Sequence, residues 1–568
     1  MKSKIFYACL FAASVLTSCS DFLEEKPKGV LSGDVYFSAV QDFDLATNSL
    51  YEKINQTQSW TNPMYPQWQG DDMTANPASN KQAVAALDAF GSDGGNKGVT
   101  DAWNLHYNMI KAANFIIDGA AKTTLAKETY AEALGNALYW RAYGYFYLVR
   151  VFGPVPLILK TASTTEMANE LQTMAPSSVD AVYSQIVKDL QEAENLLPTS
   201  YSEAPRHHDG IDAWITKQAS QATLSAVYMA MAGYPLNKGT EYYKLAADKA
   251  KQVIDNNGTY GFYVDPVWSH VYSMGHNYNK ETLVGIDNNW NCGSWDHDSE
   301  LTSCNRFESL GDGGWGDSWG EIAFWKRFPE GPRKDAIYAP KITFQKDATI
   351  TGMCDWWELN DKGEKKVAEY HPMFSVYTVN CIEGNAWVQL EEPYDYTKPN
   401  YMNMTNGRRH RLVRYSEVLL WYAESAARSG AADLTFAKKC LKDVRKRAVT
   451  DYMNVTLSDG TKVNIDAMNA VQLAEACYIE HGWEVAGQWT QMVTRRADEL
   501  RMNELKKNFD YRVQNPEIVV HVDANGKEYK AKESVAISNT NWVEGITIYC
   551  PYPTDEVEKN PNLKRQKR

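Results

Sequence analysis

One eight-residue stretch restricts the architecture more than any other: W-R-A-Y-G-Y-F-Y, Trp140 to Tyr147. Trp140, Tyr143, Tyr147 and Val151 fall at i, i+3, i+7 and i+11, which places them along one helix face. Apolar side chains also occupy the other faces, so this helix is expected to be buried on several sides. Gly144 removes a Cβ where a neighbouring helix can come close. Gly153-Pro154 is a stop signal. Such a helix needs other helices around it, and the sequence supplies them. Helical period runs over 38–56, with Phe43, Ala46 and Leu50 on one face, and returns over 101–121 and 126–152. An amphipathic run over 182–197 stops at Pro198. Ala213–Ala232 and Tyr242–Ile254 form a pair around Gly233-Tyr234-Pro235. Leu412–Ser429 and Leu434–Val449 form another, joined by Gly430. Ala423, Ala426, Ala427 and Ala437 hold close-packing positions, and Cys440 and Cys477 read as small core residues.

The Trp140–Tyr147 stretch fits the tetratricopeptide helix template W-x2-L-G-x2-Y, with Tyr143 in place of Leu. Spacing between the helix pairs is irregular, so the expectation is a degenerate array with large insertions rather than a regular solenoid. The fold class is therefore mainly α: a tetratricopeptide-like helix-pair scaffold with large irregular loop insertions and a few short strands. One insertion is the turn-rich loop 59–77. In the other, 258–410, Gly, Asn, Asp and Trp dominate and helical period is lost, while 341–390 alternates loosely as short strands do. A connection this long in a compact domain is expected to pack on the helices and to carry function. The division that follows is a signal over 1–18, an N-terminal helical region over 19–257 and a C-terminal region with the insertions over 258–568, forming one compact unit.

The first residues address the chain. Lys2 and Lys4 precede an apolar run, Ile5 to Leu16, too short to span a bilayer. Leu16-Thr17-Ser18-Cys19 resembles a lipobox, which implies cleavage before Cys19 and its lipidation; several acyl chains on one residue make a lasting anchor. The acids Asp21, Glu24 and Glu25 resemble the export signal of surface lipoproteins. No later stretch is apolar enough to cross a membrane. The 58 Lys and Arg against 71 Asp and Glu give a net charge of −13, and loss of Lys2 and Lys4 makes it −15. An acidic chain without a basic stripe argues against nucleic acid and anionic lipid as ligands. Of nine cysteines, Cys9 leaves with the signal and Cys19 takes lipid. The other seven form no C-x-x-C, so no zinc or redox site is expected. Cys292 and Cys304, the one close pair, could bridge a loop.

Aromatic residues carry the functional signal, with 18 Trp and 34 Tyr. A sugar ring has an apolar face of C–H groups and a rim of hydroxyls. An exposed indole offers a flat partner for the first at small entropic cost, and Asn, Asp, Gln and Arg serve the second. N-N-W-N-C-G-S-W-D-H-D (288–298) and G-D-G-G-W-G-D-S-W-G (311–320) have this make-up. Candidate ligand-binding residues are Trp290, Trp295, Trp315, Trp319 and Asn288, with Trp68 and Asp72 from the first long loop. Trp140, Trp214, Trp421 and Trp483 lie in helical pattern and are assigned to the core. D-H-D-S-E (296–300) fails as an EF-hand, since Leu301 and Phe307 stand where Gly and Glu are required. His207-His208-Asp209-Gly210 lacks a partner metal motif and reads as a turn between helices. There is no G-x-S-x-G, H-E-x-x-H or P-loop, although two carboxylates in a cleft would suffice for a glycosidase.

Several stretches in order resemble one family. They are W-R-A-Y-G-Y-F-Y-L-V-R-V-F-G-P-V-P-L (140–157), V-Y-S-Q-I-V-K-D-L-Q-E-A-E-N-L-L-P (182–198), F-P-E-G-P-R-K-D-A (328–336), R-Y-S-E-V-L-L-W-Y-A-E-S-A (414–426) and Y-P-T-D-E-V-E-K-N-P-N-L (552–563). Behind a lipobox they resemble the SusD/RagB family of outer-membrane nutrient-binding lipoproteins. The resemblance departs over Tyr478–Trp489, where the family's basic residues are missing, and at the end K-R-Q-K-R. It implies a non-catalytic, α-helical binder built on four tetratricopeptide-like units, without cofactor or metal. Such a protein captures an oligosaccharide at the cell surface and passes it to a SusC-type TonB-dependent transporter in the outer membrane. It also implies ligand loops near Trp290, Trp295, Trp315 and Trp319. Peptide capture, as in RagB-type relatives, and hydrolysis of a glycan are the alternatives.

Overall fold

The computed structural model describes residues 36–58, 62–75, 82–288, 317–339, 342–346, 349–358, 371–374, 380–383, 386–389, 408–533 and 542–564. Cys19, Trp290, Trp295, Trp315 and the Cys292–Cys304 pair lie outside the described residues.

Nine longer helices form the scaffold: α1 (Val40–Gln58), α2 (Lys97–Lys122), α3 (Ala131–Phe152), α4 (Val179–Leu196), α5 (Lys217–Ala232), α6 (Thr240–Asp255), α7 (Tyr415–Arg428), α8 (Thr435–Ala448) and α9 (Ala470–Glu484). From α1 to α7 each packs on the next, and α8 and α9 both pack on α7. The array is continuous: α6 and α7 are neighbours although residues 256–414 lie between them in the chain. Among the described residues no helix is long and apolar enough to cross a membrane.

The helices start and stop for local reasons. Asn96 caps α2 by accepting from Gly98 N–H at 2.9 Å, and Ser178 caps α4 by accepting from Ala181 N–H at 3.2 Å. At α9, Asn469 and Gln472 form a reciprocal capping box. Gly153 ends α3 at φ 72°, a conformation that suits glycine. Every residue of α3 from Ala133 to Phe152 is buried, as its all-round apolar pattern requires. A Cβ on Gly144 would sit 2.8 Å from Met109 Cε and 2.9 Å from Ile110 Cγ1 of α2, so this glycine sets how closely the two helices approach. Trp140, Trp214, Trp421 and Trp483 are all buried, as are Ala423, Ala426, Ala427, Ala437, Cys440 and Cys477.

Short two-stranded pairs decorate the helices. β1 (Met73–Ala75) lies antiparallel to β3 (Ser318–Gly320), and β2 (Thr282–Ile286) lies antiparallel to β4 (His410–Arg414). The His207-His208-Asp209-Gly210 segment is a turn, as expected, but of a β-hairpin. His207–His208 pairs with Ile211–Asp212, and Asp209 and Gly210 take φ of 49° and 82°, the doubly positive pattern that an Asp-Gly hairpin turn favours.

Buried ion pairs join β2, β4 and the last helices. Arg447 on α8 forks onto Glu281 at 2.5 and 2.6 Å. Arg414 at the end of β4 donates to Glu484 of α9 at 2.6 Å, and Arg333 donates to the same carboxylate at 2.7 Å. Burial by itself would raise the Glu484 carboxyl; Arg447, Arg414 and Arg333 overcome it and hold the group far below the ordinary carboxylate range. All these groups are buried, so removing one partner strands the others.

Candidate functional site

The scaffold grips both ends of the Trp-rich stretch 289–316. At the outgoing end, β2 leads to Asp287 and Asn288. Asn288 accepts from Asn55 Nδ2 of α1 at 3.2 Å and donates to the Arg408 carbonyl at 2.7 Å. Asn55 also donates to the Asp287 carbonyl at 3.2 Å. The Asp287 carboxylate lies 3.0 Å from His208 Nε2 and 3.0 Å from Arg409 Nε. Arg409 crosses β2 at Gly285, where an added Cβ would lie 2.5 Å from its Nε. The edge of Tyr278 meets His208, ring centroids 4.7 Å apart at 76°. The result is a rim of amide, imidazole, phenol and one carboxylate–guanidinium pair. His208, Tyr278, Asp287 and Asn288 are half-buried, each with some surface left for a ligand. Partial burial raises the Tyr278 phenol, with Asp287 adding to the shift; it stays protonated and can donate.

At the incoming end the chain returns through Asp317 into β3. Ala75 of β1 stands opposite Ser318. This end is dry. Trp319 is fully buried, stacked on His371 with centroids 4.8 Å apart, and shares a small core with Ile322, Trp356 and Met373. Trp319 is thus a core residue rather than an exposed platform: His371 and the small core around Trp356 cover it, despite the glycines around it in the sequence.

Two further expectations are corrected. The 59–77 loop is largely ordered as a 3-10 helix, Asn62–Gln69, followed by β1. Trp68 on that helix is fully buried between Tyr65 and Trp489, at 5.1 and 4.7 Å. The 3-10 turn points its indole inward because it packs against α2. Asp72 is also buried and accepts from Gly487 N–H at 2.8 Å. Burial, with Asp71 adding, pushes its carboxyl up to about 7 against the Gly487 hydrogen bond. Neither residue can meet a ligand at the surface. Of the candidates among the described residues, Asn288 alone is at the rim.

Sequence reasoning missed His208, Tyr278, Asp287 and Arg409. His208 and Asp287 lie 79 positions apart, and no local pattern signals that a hairpin turn and a strand end will meet. Among the described residues no group of three or more His, Cys, Asp or Glu could hold a metal ion.

Residues 21–229 match a family model described as starch-binding associating with outer membrane, and residues 332–567 match the model of the SusD family. The chain belongs to the SusD/RagB family, one of non-catalytic, outer-membrane-associated binding proteins. SusD-like protein P2 of Formosa agariphila is 27% identical over 292 residues, covering 50% of this chain and 53% of that protein; the match thus spans about half of that relative. A SusD-like protein of Bacteroides ovatus is 23% identical, covering 99% of this chain and 97% of that one. Among solved structures, a SusD homolog from Bacteroides thetaiotaomicron superposes with a TM-score of 0.72 at 17% identity, over 94% of this chain and 98% of that one. A laminarin-binding SusD-like protein superposes with a TM-score of 0.66 at 15% identity, over 93% and 98%. The likeness to these structures is one of fold.

Proposed function

We propose that this protein captures an oligosaccharide at the cell surface through Trp290, Trp295 and Trp315, and delivers it to a SusC-type TonB-dependent transporter while tethered to the outer membrane by lipid on Cys19. One observation carries the reading. The Trp-rich stretch is clamped to the scaffold at Asn288, beside half-buried groups whose chemistry suits hydroxyls. Indole faces take the C–H side of a sugar, and Asn288, His208 and Tyr278 serve its rim. The laminarin-binding relative of the same fold supports a glycan over a peptide. The paired state of Asp287, shared between His208 and Arg409, suits hydrogen bonding rather than acid catalysis.

The test uses soluble protein from Ser20 to Arg568 on a broad glycan array, with Trp290→Ala, Trp295→Ala and Trp315→Ala alongside. The expected result is binding to one glycan class, weakened at least tenfold in one or more variants. Binding that all three variants retain moves the site elsewhere. Silence on glycans with binding to peptides instead replaces the ligand class.

A further inference from the structure

A second concavity lies on the N-terminal half of the array, apart from the residues that hold the ends of 289–316. Its volume is about 350 Å³, inside the range of small-ligand pockets. Three remote segments enclose it: one face of α2, the chain around the short helix Thr165–Gln172, and the C-terminal residues 556–563. Trp103, Tyr107, Ile158 and Leu563 form an apolar, aromatic interior. Tyr107 is half-buried, and its hydroxyl is fixed on the Pro156 carbonyl at 2.8 Å. The ring is therefore held in place before any ligand arrives.

The rim decides what this interior accepts. Asn104, Asn108 and Lys111 follow one another along the exposed face of α2, and Gln172 stands across the opening. The side chains of these four make no hydrogen bond to another described group, whereas the buried amides below are committed. Asn114 donates to the Ile158 carbonyl at 2.9 Å, and Asn560 donates to the Met174 carbonyl at 2.8 Å. Charge at the opening is largely cancelled locally, Lys160 by Glu170 at 3.8 Å and Glu556 by Lys559 at 3.1 Å. An aromatic interior, three unspent carboxamides and the single ammonium of Lys111 suit a small ligand that is flat and apolar on one side and rich in hydroxyls at its edge. A fatty chain would leave the amides unused, and a polyanion would find only the one ammonium of Lys111.

We propose that this pocket is a second carbohydrate site, taking one or two neutral sugar residues. It shares with the proposed function only the class of ligand, and it stands on its own residues.

Saturation-transfer NMR with glucose, xylose and laminaribiose as probes tests it. The background is the Ser20–Arg568 protein carrying Trp290→Ala, Trp295→Ala and Trp315→Ala. Residual transfer to at least one probe is expected. It should fall severalfold with Asn108→Ala plus Lys111→Ala, which are exposed and spend no hydrogen bonds on the fold. Ala168→Trp, which fills the opening from the short helix, should abolish it. No transfer in the triple-Trp background, or transfer that both pocket variants leave intact, overturns the second site. If instead the triple-Trp protein binds as the parent does and the pocket variants bind nothing, the pocket stands and the Trp-rich assignment falls.

Discussion

An indole in a glycine-rich run is ambiguous until its neighbours are known, and Trp319 resolves against exposure. It sits in a three-residue strand that pairs with residues more than 240 positions earlier, and His371, Ile322, Trp356 and Met373 bury its indole. Trp319→Ala is accordingly expected to cost ~3–5 kcal/mol of stability, as for other large-to-small core changes, and to leave glycan affinity intact at a temperature where the protein stays folded. Differential scanning calorimetry beside the glycan array checks both halves. Asp72 gives a sharper signature. Its carboxyl holds a proton up to about pH 7, while in the unfolded chain it titrates near 3.8. Stability from this group is therefore full below 3.8 and is lost as pH rises to about 7. Asp72→Asn keeps an oxygen for Gly487 N–H, so at pH 8 it should relieve a penalty on the order of a few kcal/mol and at pH 4 relieve none. The melting-temperature difference between variant and parent is measured at both values; an equal difference removes the argument. His481 acts in the same direction at higher pH. Burial would lower its imidazole, but Asp498 and Glu417 raise it to about 9. Its contribution is complete below 6.5 and is lost as pH rises through 9. No residue-level pattern reveals either group, because burial sets the shift of Asp72 and partners 17 and more positions away set that of His481.

The helices were the legible level. The period over 182–197 appears as Val179–Leu196, that over Tyr242–Ile254 as Thr240–Asp255, and that over Leu434–Val449 as Thr435–Ala448. Apolar period reports which face is buried, and caps and prolines report where it ends. The 59–77 segment was opaque because a 3-10 helix leaves little period to detect and β1 exists only through its distant partner. Gly144 offers a test at this level. Alanine there gains about 1 kcal/mol of helix propensity but sets its Cβ 2.8 Å from Met109 Cε and 2.9 Å from Ile110 Cγ1, so both side chains must shift. The two effects roughly cancel, and Gly144→Ala should melt within a few degrees of the parent. Gly144→Leu must move α2 itself and should lose ~1–3 kcal/mol or more. If leucine is tolerated as well as alanine, the close α2–α3 approach is not what this glycine serves.

At the scale of the whole molecule, the first address and the array meet. Array order follows from packing, and only part of it could be read: the helix pairs were visible, but not that α6 closes onto α7. On the proposed function, where the chain is held depends on Cys19. Cys19→Ala is expected to shift the protein from the membrane fraction to the soluble periplasmic or extracellular fraction and to abolish incorporation of a palmitate analogue, with purified affinity for glycan unchanged. Continued labelling of the variant would place the lipid elsewhere. The rim at Asn288 and the α2 pocket are built from different helices, so loss of one leaves the framework of the other in place.

The closure of α6 onto α7 has an evolutionary side. The spine already bears the entropy of a 159-residue excursion between two adjacent helices, and that cost grows only logarithmically with length. Exchanging 289–316 for a relative's equivalent between Asn288 and Asp317, which leaves the buried residues on either side in place, is therefore expected to change stability little. The arrangement works as a socket, with fixed contacts at Asn288 and an exchangeable insert, so one stretch of chain can be recombined while the nine-helix array stays as it is.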